Sequence, residues 1–98
     1  MEILSRRYDK SPDVVFRQVA GEFVLVPIRH DVADLEAVYT LGGAGARIWE
    51  LLDGERDGYA LLNQIVQEYD IDLDEARRDL VEFLCDLEAV RGIALVEA

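Results

Sequence analysis

Few side chains in this sequence have the types and spacing that catalysis or metal binding requires. Its one histidine, His30, stands beside Asp31, but nothing else supports a hydrolytic site, so we predict a solvated loop histidine. The one cysteine, Cys85, has no evident cationic activation among its sequence neighbours, which favours a packed thiol over a nucleophile. One histidine and one cysteine cannot form a conventional zinc site. We therefore predict a protein with no catalytic residues, no metal and no cofactor.

Two local motifs resemble ligand sites without meeting their requirements. The segment Gly42 to Ala46 lies between a predicted strand and a predicted helix, where phosphate-binding loops occur. It lacks the third glycine and the Lys-Ser/Thr of such loops, so it predicts a tight strand-to-helix turn. The acidic cluster from Asp70 to Glu75 lacks the glycine and the spacing of a calcium loop, and acids at a helix start complement the helix dipole.

Composition places the chain among small globular proteins. At 98 residues and 11.1 kDa it fits one domain, and 51% hydrophobic with 32% charged residues excludes a disordered tail. No apolar run is long enough to span a membrane, and no secretory signal is evident. A single cysteine fits a reducing compartment, so we expect a cytoplasmic protein.

The charge is strongly asymmetric. The first thirty residues carry a net charge of +1 and the remainder −12, which together give −11. A domain that neutralises duplex phosphates needs a basic face, and the predicted helical part has the opposite sign. We therefore expect neither nucleic acid nor an anionic membrane as a partner.

The elements that must position any site fall into strands followed by helices. We predict an irregular N-terminal arm over 1–10 and one domain over 11–98. A glycine-containing connection joins two β-prone runs as a hairpin. Because Pro27 donates no ladder hydrogen bond, the second run should end there or lie along an edge. A polar loop from His30 to Glu36 then precedes a third strand. The predicted strands are 14–19, 23–26 and 37–41.

Helical periodicity begins at Gly42. The first helix ends at Asp53-Gly54, and Asp57-Gly58 opens the second. The third has the clearest start, because Asp72 can cap it and Glu75 can complete a capping box. It should end at Arg91-Gly92, and the run 93–96 either returns to the sheet or packs as an extended tail. This order predicts an α+β, βββααα single domain.

The third helix has three distinct faces at about 100° per residue. One face is an apolar core stripe that runs from Val90 through Phe83, Ala76, Leu87 and Leu80 to Leu84. The acids Glu75, Asp79, Glu82 and Asp86 form what we interpret as the solvent face. The remaining flank carries Arg77, Arg78, Val81 and Cys85. Apolar residues between arginines suit a groove wall that meets a partner. An alternative interpretation is that the arginines pair with nearby acids and Val81 only widens the core.

The third strand offers the other wall. If it lies at the sheet edge beside the third helix, its unpaired backbone groups can accept an extended peptide.

An ordered set of residues along the chain resembles the PqqD-like family, which supplies the precursor-recognition element of ribosomally made, post-translationally modified peptide (RiPP) pathways. The resemblance covers roughly residues 11–96 and is most specific from Gly45 through Gly54. The stretches that carry it are Pro12–Arg17, Gly21–Val26, Leu41–Gly54, Ile65-Val66, Tyr69-Asp70 and Asp79–Leu84.

The resemblance implies a winged helix-turn-helix-like domain that binds the leader of a precursor peptide. The leader adds as a strand to the third strand, lies against the third helix, and reaches a modifying enzyme such as a radical S-adenosylmethionine (SAM) maturase. Carried over by position, the peptide-binding residues are Val38, Tyr39, Thr40 and Leu41 on the strand, with Arg77, Leu80, Val81 and Leu84 on the helix.

Two positions depart from the family pattern. Gly42 stands where members commonly have Asn, and Arg91-Gly92 is followed by Ile93 where members of the pyrroloquinoline quinone pathway tend to have an aromatic residue. We therefore expect a different peptide pathway. Two other functions stay open at this point: a winged-helix nucleic-acid-binding regulator, and a homo-oligomerising adaptor domain that forms a homodimer through its sheet edge.

Overall fold

The computed structural model describes residues 2–27 and 38–96, and a three-stranded antiparallel sheet forms the first half of the fold. Its strands are β2 (Val14–Val19), β3 (Glu22–Pro27) and β4 (Tyr39–Leu41), in the order β2-β3-β4. We number the strands in chain order, and β1 (Arg7–Lys10) and β5 (Ile93–Val96) belong to a second sheet. The predicted hairpin is confirmed, and β3 is described as far as Pro27, which is opposite Val14. The third strand is shorter than predicted. Ala37 and the predicted loop with His30 lie outside the described residues.

The conformation of two residues determines the hairpin turn between β2 and β3. Ala20 and Gly21 both have positive φ, 52° and 82°, as a two-residue turn compatible with the strand twist requires. The resulting register places Val15 opposite Val26 and Phe16 opposite Leu25. The inner face of the sheet therefore carries Phe23 and Leu25, which are buried in the core.

Three helices follow the sheet, as the sequence predicts. They are α1 (Gly43–Leu51), α2 (Gly58–Tyr69) and α3 (Leu73–Ala89). Asp57 caps α2 by accepting a hydrogen bond from the Ala60 amide, and the predicted cap of α3 is present, since the Asp72 carboxylate accepts from the Glu75 amide at 3.1 Å.

The N-terminal residues are not the irregular arm that the sequence analysis predicts. Ile3–Ser5 forms a 3-10 turn and β1 (Arg7–Lys10) pairs antiparallel with β5 (Ile93–Val96) in a second, two-stranded sheet. Leu4 and Tyr8 are fully buried. The connection between α1 and α2 holds the other side of β1, because the Gly54 amide donates to the Tyr8 carbonyl. The run 93–96 thus pairs with the N-terminal strand, not with the three-stranded sheet.

A single hydrophobic core joins both sheets to the helices. Trp49 of α1 lies at its centre with no exposed surface, and the ring of Phe16 packs edge-on against it at 5.3 Å between centroids. The stripe of α3 that faces this core comprises Ala76, Leu80, Leu84 and Leu87. The fold is therefore one α+β domain with a three-stranded sheet followed by three helices, to which β1 and β5 are added.

Candidate functional site

Strand β4 forms one edge of the three-stranded sheet. Within the described residues it pairs only with β3, through Phe23–Leu41, Val24–Thr40 and Leu25–Tyr39. Successive residues of an antiparallel strand direct their backbone N–H and C=O groups to opposite neighbours. Part of the backbone of β4 is therefore directed away from β3 and has no partner strand among residues 2–27 and 38–96.

A groove lies between this edge strand and α3. Its volume is about 410 Å³. Tyr39 and Leu41 form the strand wall, because the register places them on the inner face of the sheet with Phe23 and Leu25. The helix wall and the end of the groove are mostly apolar and are formed by Phe83, Asp86, Leu87, Ala89 and Val90.

Phe83 separates this groove from a smaller apolar pocket of about 130 Å³. The smaller pocket lies between the three helices, with Gly45, Ile48 and Leu80 in its wall and Asp79 at its edge. The Phe83 ring fits there because residue 45 has no side chain: a Cβ on Gly45 would lie 3.3 Å from a ring carbon of Phe83. Phe83 thus contributes to both spaces from a single position on α3.

The structure brings two of the four predicted strand residues to this groove. Tyr39 and Leu41 line it, whereas Thr40 faces the opposite side of the sheet beside Val24. Val38 precedes the strand and is 52% exposed. The predicted strand wall and the observed one therefore share two side chains.

The predicted helix residues lie elsewhere on α3. Leu80 and Leu84 point into the core and are 3% and 0% exposed. Arg77 binds Glu2 at 2.7 Å, so this arginine does pair with a nearby acid. Val81 packs half-buried against the core, about half a helical turn from the groove residue Val90. None of the four is among the residues that line the groove.

The sequence analysis missed the helix residues that do face β4. It assigned Phe83, Leu87 and Val90 to the core stripe and Asp86 to the solvent face. Asp86 is exposed, but it stands on the groove wall. Periodicity identifies a core stripe with two flanks, and only the packing of α3 against the sheet decides which flank adjoins β4. The position of Phe83 at the border of stripe and acidic face is the one available sequence signal.

Several of the described ionisable side chains are engaged in structural contacts. Lys10 donates to the Leu52 carbonyl at 2.5 Å and lies 5.5 Å from the Trp49 ring centre, and desolvation lowers the pKa of its amine.

Cys85 is an exposed free thiol, not the packed thiol that we predict from the sequence. Over residues 2–27 and 38–96, no cluster of three or more His, Cys, Asp or Glu side chains is placed to hold a metal ion. In the same part of the chain, no helix has the length and apolarity to cross a membrane.

Comparison with known proteins identifies both a family and a structural neighbour. The sequence matches the family described as Coenzyme PQQ synthesis protein D (PqqD) over residues 22–93. No curated protein is significantly similar to the chain. A solved structure, "TbiB1 in Complex with the TbiA(beta) Leader Peptide", is similar with a TM-score of 0.74 and 27% identity, over 87% of this chain and 93% of that one. This likeness confirms the predicted recognition-element fold.

Proposed function

The chain belongs to the PqqD family, and on this premise we propose that it is a non-catalytic domain that binds the leader segment of a ribosomally made precursor peptide. The leader lies in the groove between β4 and α3 and adds to β4 as a further strand. Support comes from the solved neighbour, which is described in complex with a leader peptide. The observation that carries the proposal is the juxtaposition of an edge strand and an apolar groove on the same side of the domain.

The two walls of the groove make different contributions to binding. Backbone hydrogen bonds to β4 provide affinity for any extended segment, and side-chain contacts with α3 select the sequence. Tyr39, Leu41, Phe83 and Val90 offer a mostly apolar surface to alternate side chains of the added strand. A leader with apolar residues at every second position therefore fits this groove.

Binding of this kind separates recognition from modification. Only the leader occupies the groove, so the rest of the precursor stays accessible to a modifying enzyme such as a radical SAM maturase. We propose that the domain presents the precursor to such an enzyme in the cytoplasm, where precursors are synthesised.

A second copy of the chain is the competing occupant of the β4 edge. Such a homodimer brings together two chains that each carry a net charge of −11, which opposes association at low salt. A leader segment avoids that repulsion, and it is the occupant that we propose.

The proposal is tested by selecting peptides from a phage-displayed library of random linear sequences on the purified domain. A synthetic peptide of the most enriched sequence is then titrated by calorimetry. We expect one peptide per domain, with slower hydrogen exchange of the β4 amides in the complex. The other sheet edge, β2, is the internal control and should keep its exchange rates.

Two valines of α3 provide matched variants. Val90→Gln places a polar amide on the groove wall and should weaken binding by about 1–3 kcal/mol, because that amide loses its water without gaining a partner. Val81→Gln makes the same change on the opposite flank and should alter binding little. Equal effects of the two substitutions, or protection of β2 in place of β4, would contradict the proposal, as would a stable homodimer that excludes the peptide.

A further inference from the structure

The groove wall on α3 has an acidic rim. Asp86 stands on the wall beside Phe83 and Val90, and Asp79 lies at the edge of the adjoining small pocket. At about 100° per residue, Asp79 and Asp86 lie on the same side of α3. Glu82 lies on that side as well. All three carboxylates are on exposed residues. The apolar floor of the groove is thus bordered by negative charge along the helix.

The far end of β4 adds a further carboxylate. Glu22 of β3 reaches Gly42, where a Cβ would lie 3.2 Å from the carboxylate oxygen Oε2. Gly42 directly follows the last residue of β4, so this negative charge lies at the end of the strand wall. Both the helix wall and the end of the strand wall therefore carry negatively charged side chains.

The described cations near the helices are mostly engaged away from the groove. Arg47 pairs with Glu68 at 2.9 Å, Arg56 with Asp53 at 2.7 Å, and Arg77 with Glu2 on the flank of α3 that faces away from β4. Arg78 of α3 and Arg91, which follows Val90 beyond the end of α3, are the other two cations near the helices, and Arg91 is the nearer to the groove in sequence. On this side of the helix the carboxylates Asp79, Glu82 and Asp86 outnumber the one arginine beside the groove, and this excess of negative charge disfavours an acidic segment.

From this combination we infer a specific leader chemistry, which rests on the proposed function: the groove selects segments in which an apolar side chain is accompanied by a lysine or arginine. The apolar side chain fills the space between Leu41, Phe83 and Val90. The basic side chain reaches from the added strand to Asp86 or Asp79. Charge complementarity of this kind raises the association rate and discriminates against acidic leaders.

The inference is tested with the same random displayed library, selected in parallel on the parent domain and on two charge-reversal variants. Asp86→Lys changes the groove rim, and Glu88→Lys makes a matched change in the last turns of α3, about half a helical turn from Asp86. Peptides selected by the parent and by Glu88→Lys should be enriched in lysine or arginine beside an apolar residue. Peptides selected by Asp86→Lys should lose that enrichment or replace it with aspartate or glutamate.

Calorimetry with one synthetic peptide from the parent selection supplies the quantitative test. Asp86→Lys should weaken its binding about tenfold at low salt, and the difference should shrink in high salt because exposed charges are screened. Replacing the basic residue of the peptide by glutamine should remove most of that difference. Glu88→Lys should change the peptide affinity less than twofold, because an exposed charge outside the groove contributes little to binding.

Two outcomes overturn the inference and are distinguishable. If groove-dependent peptides are enriched without any basic preference, or the Asp86→Lys selection matches the parent, the leader chemistry is wrong while leader binding stands. If no peptide binds in a manner that depends on Val90, the proposed function fails and the inference fails with it.

Discussion

Gly45 of α1 and Phe83 of α3 fit together so closely that a Cβ at position 45 would lie 3.3 Å from the phenyl ring. This contact sets the position of a side chain that borders both the groove beside β4 and the pocket between the helices. A backbone position on the first helix therefore determines the shape of a surface formed by the third.

Gly45→Ala should show this dependence. Alanine ordinarily stabilises a helix relative to glycine by about 0.5–1 kcal/mol, but here we expect no gain or a small loss because the ring must move. In a Phe83→Leu background the usual gain should return, which a double-mutant cycle of urea unfolding measures as a coupling of about 0.5–1 kcal/mol. A gain of the same size in both backgrounds would show that the contact is not restrictive.

Gly58 should tolerate substitution far less well. A Cβ there would lie 2.6 Å from the Cα of Leu4 and 2.9 Å from its carbonyl oxygen, and backbone atoms cannot move aside cheaply. We expect Gly58→Ala to lower the free energy of unfolding by about 1–3 kcal/mol, measured by urea denaturation.

Gly92→Ala is the matched control, since its Cβ would meet Leu87 at an ordinary 3.4 Å. Equal losses from the two substitutions would mean that the approach of Leu4 to α2 is not what requires glycine at position 58.

The N-terminal segment should be essential to stability. Leu4 is fully buried, so Leu4→Ala should cost about 2–5 kcal/mol from lost burial and the cavity left behind. A chain that starts at Ser11 loses Leu4, Tyr8 and the pairing of β1 with β5, and we expect it to be unfolded by circular dichroism at room temperature. A cooperative thermal transition in that shortened chain would show that the domain folds without the first ten residues, as the boundary predicted from the sequence implies.

The ion pair between Arg47 and Glu68 should make a pH-dependent contribution to stability. Hydrogen bonds from Arg47 and from Gln64 hold the pKa of the Glu68 carboxyl below its ordinary value of 4.5. A carboxyl with a lowered folded-state pKa stabilises the protein above that ordinary value, and this contribution is lost as the pH falls through the folded-state pKa.

The urea midpoint of Glu68→Gln should therefore fall below that of the parent at pH 7, and the difference should shrink as the pH drops below 4.5. Arg47→Gln should behave in the same way because it removes the partner. A difference that stays constant with pH would assign the effect to packing instead of charge.

Local signals explain what the sequence predicts correctly. The cap of α3 depends on the Asp72 carboxylate, which accepts from the backbone amide of residue 75, and the hairpin depends on a glycine that accepts positive φ. Such features are decided within a few residues, so a single sequence contains them. The α+β order follows from them, whereas the sequence supplies the edge position of β4 only as a condition of the predicted groove.

The two features that the sequence does not reveal depend on distant partners. Strand β1 has only one apolar residue, Tyr8, and its partner β5 lies at the other end of the chain. The choice between the two flanks of α3 depends on how that helix packs against β4. Periodicity places Val90 in the core stripe and Val81 on a flank, and only the tertiary arrangement shows that Val90 lines the groove.

The pairing of β1 with β5 also bears on the order in which the domain folds. Arg7 is opposite Val96, so forming this ladder closes almost the whole chain into one loop. Closing a long loop is entropically costly, and contacts of large sequence separation slow folding. We therefore expect the hairpin and helices to form first and the two-stranded sheet to form last. Pulse-labelling hydrogen exchange should show β1 and β5 amides protected after those of α3, and simultaneous protection would contradict this order.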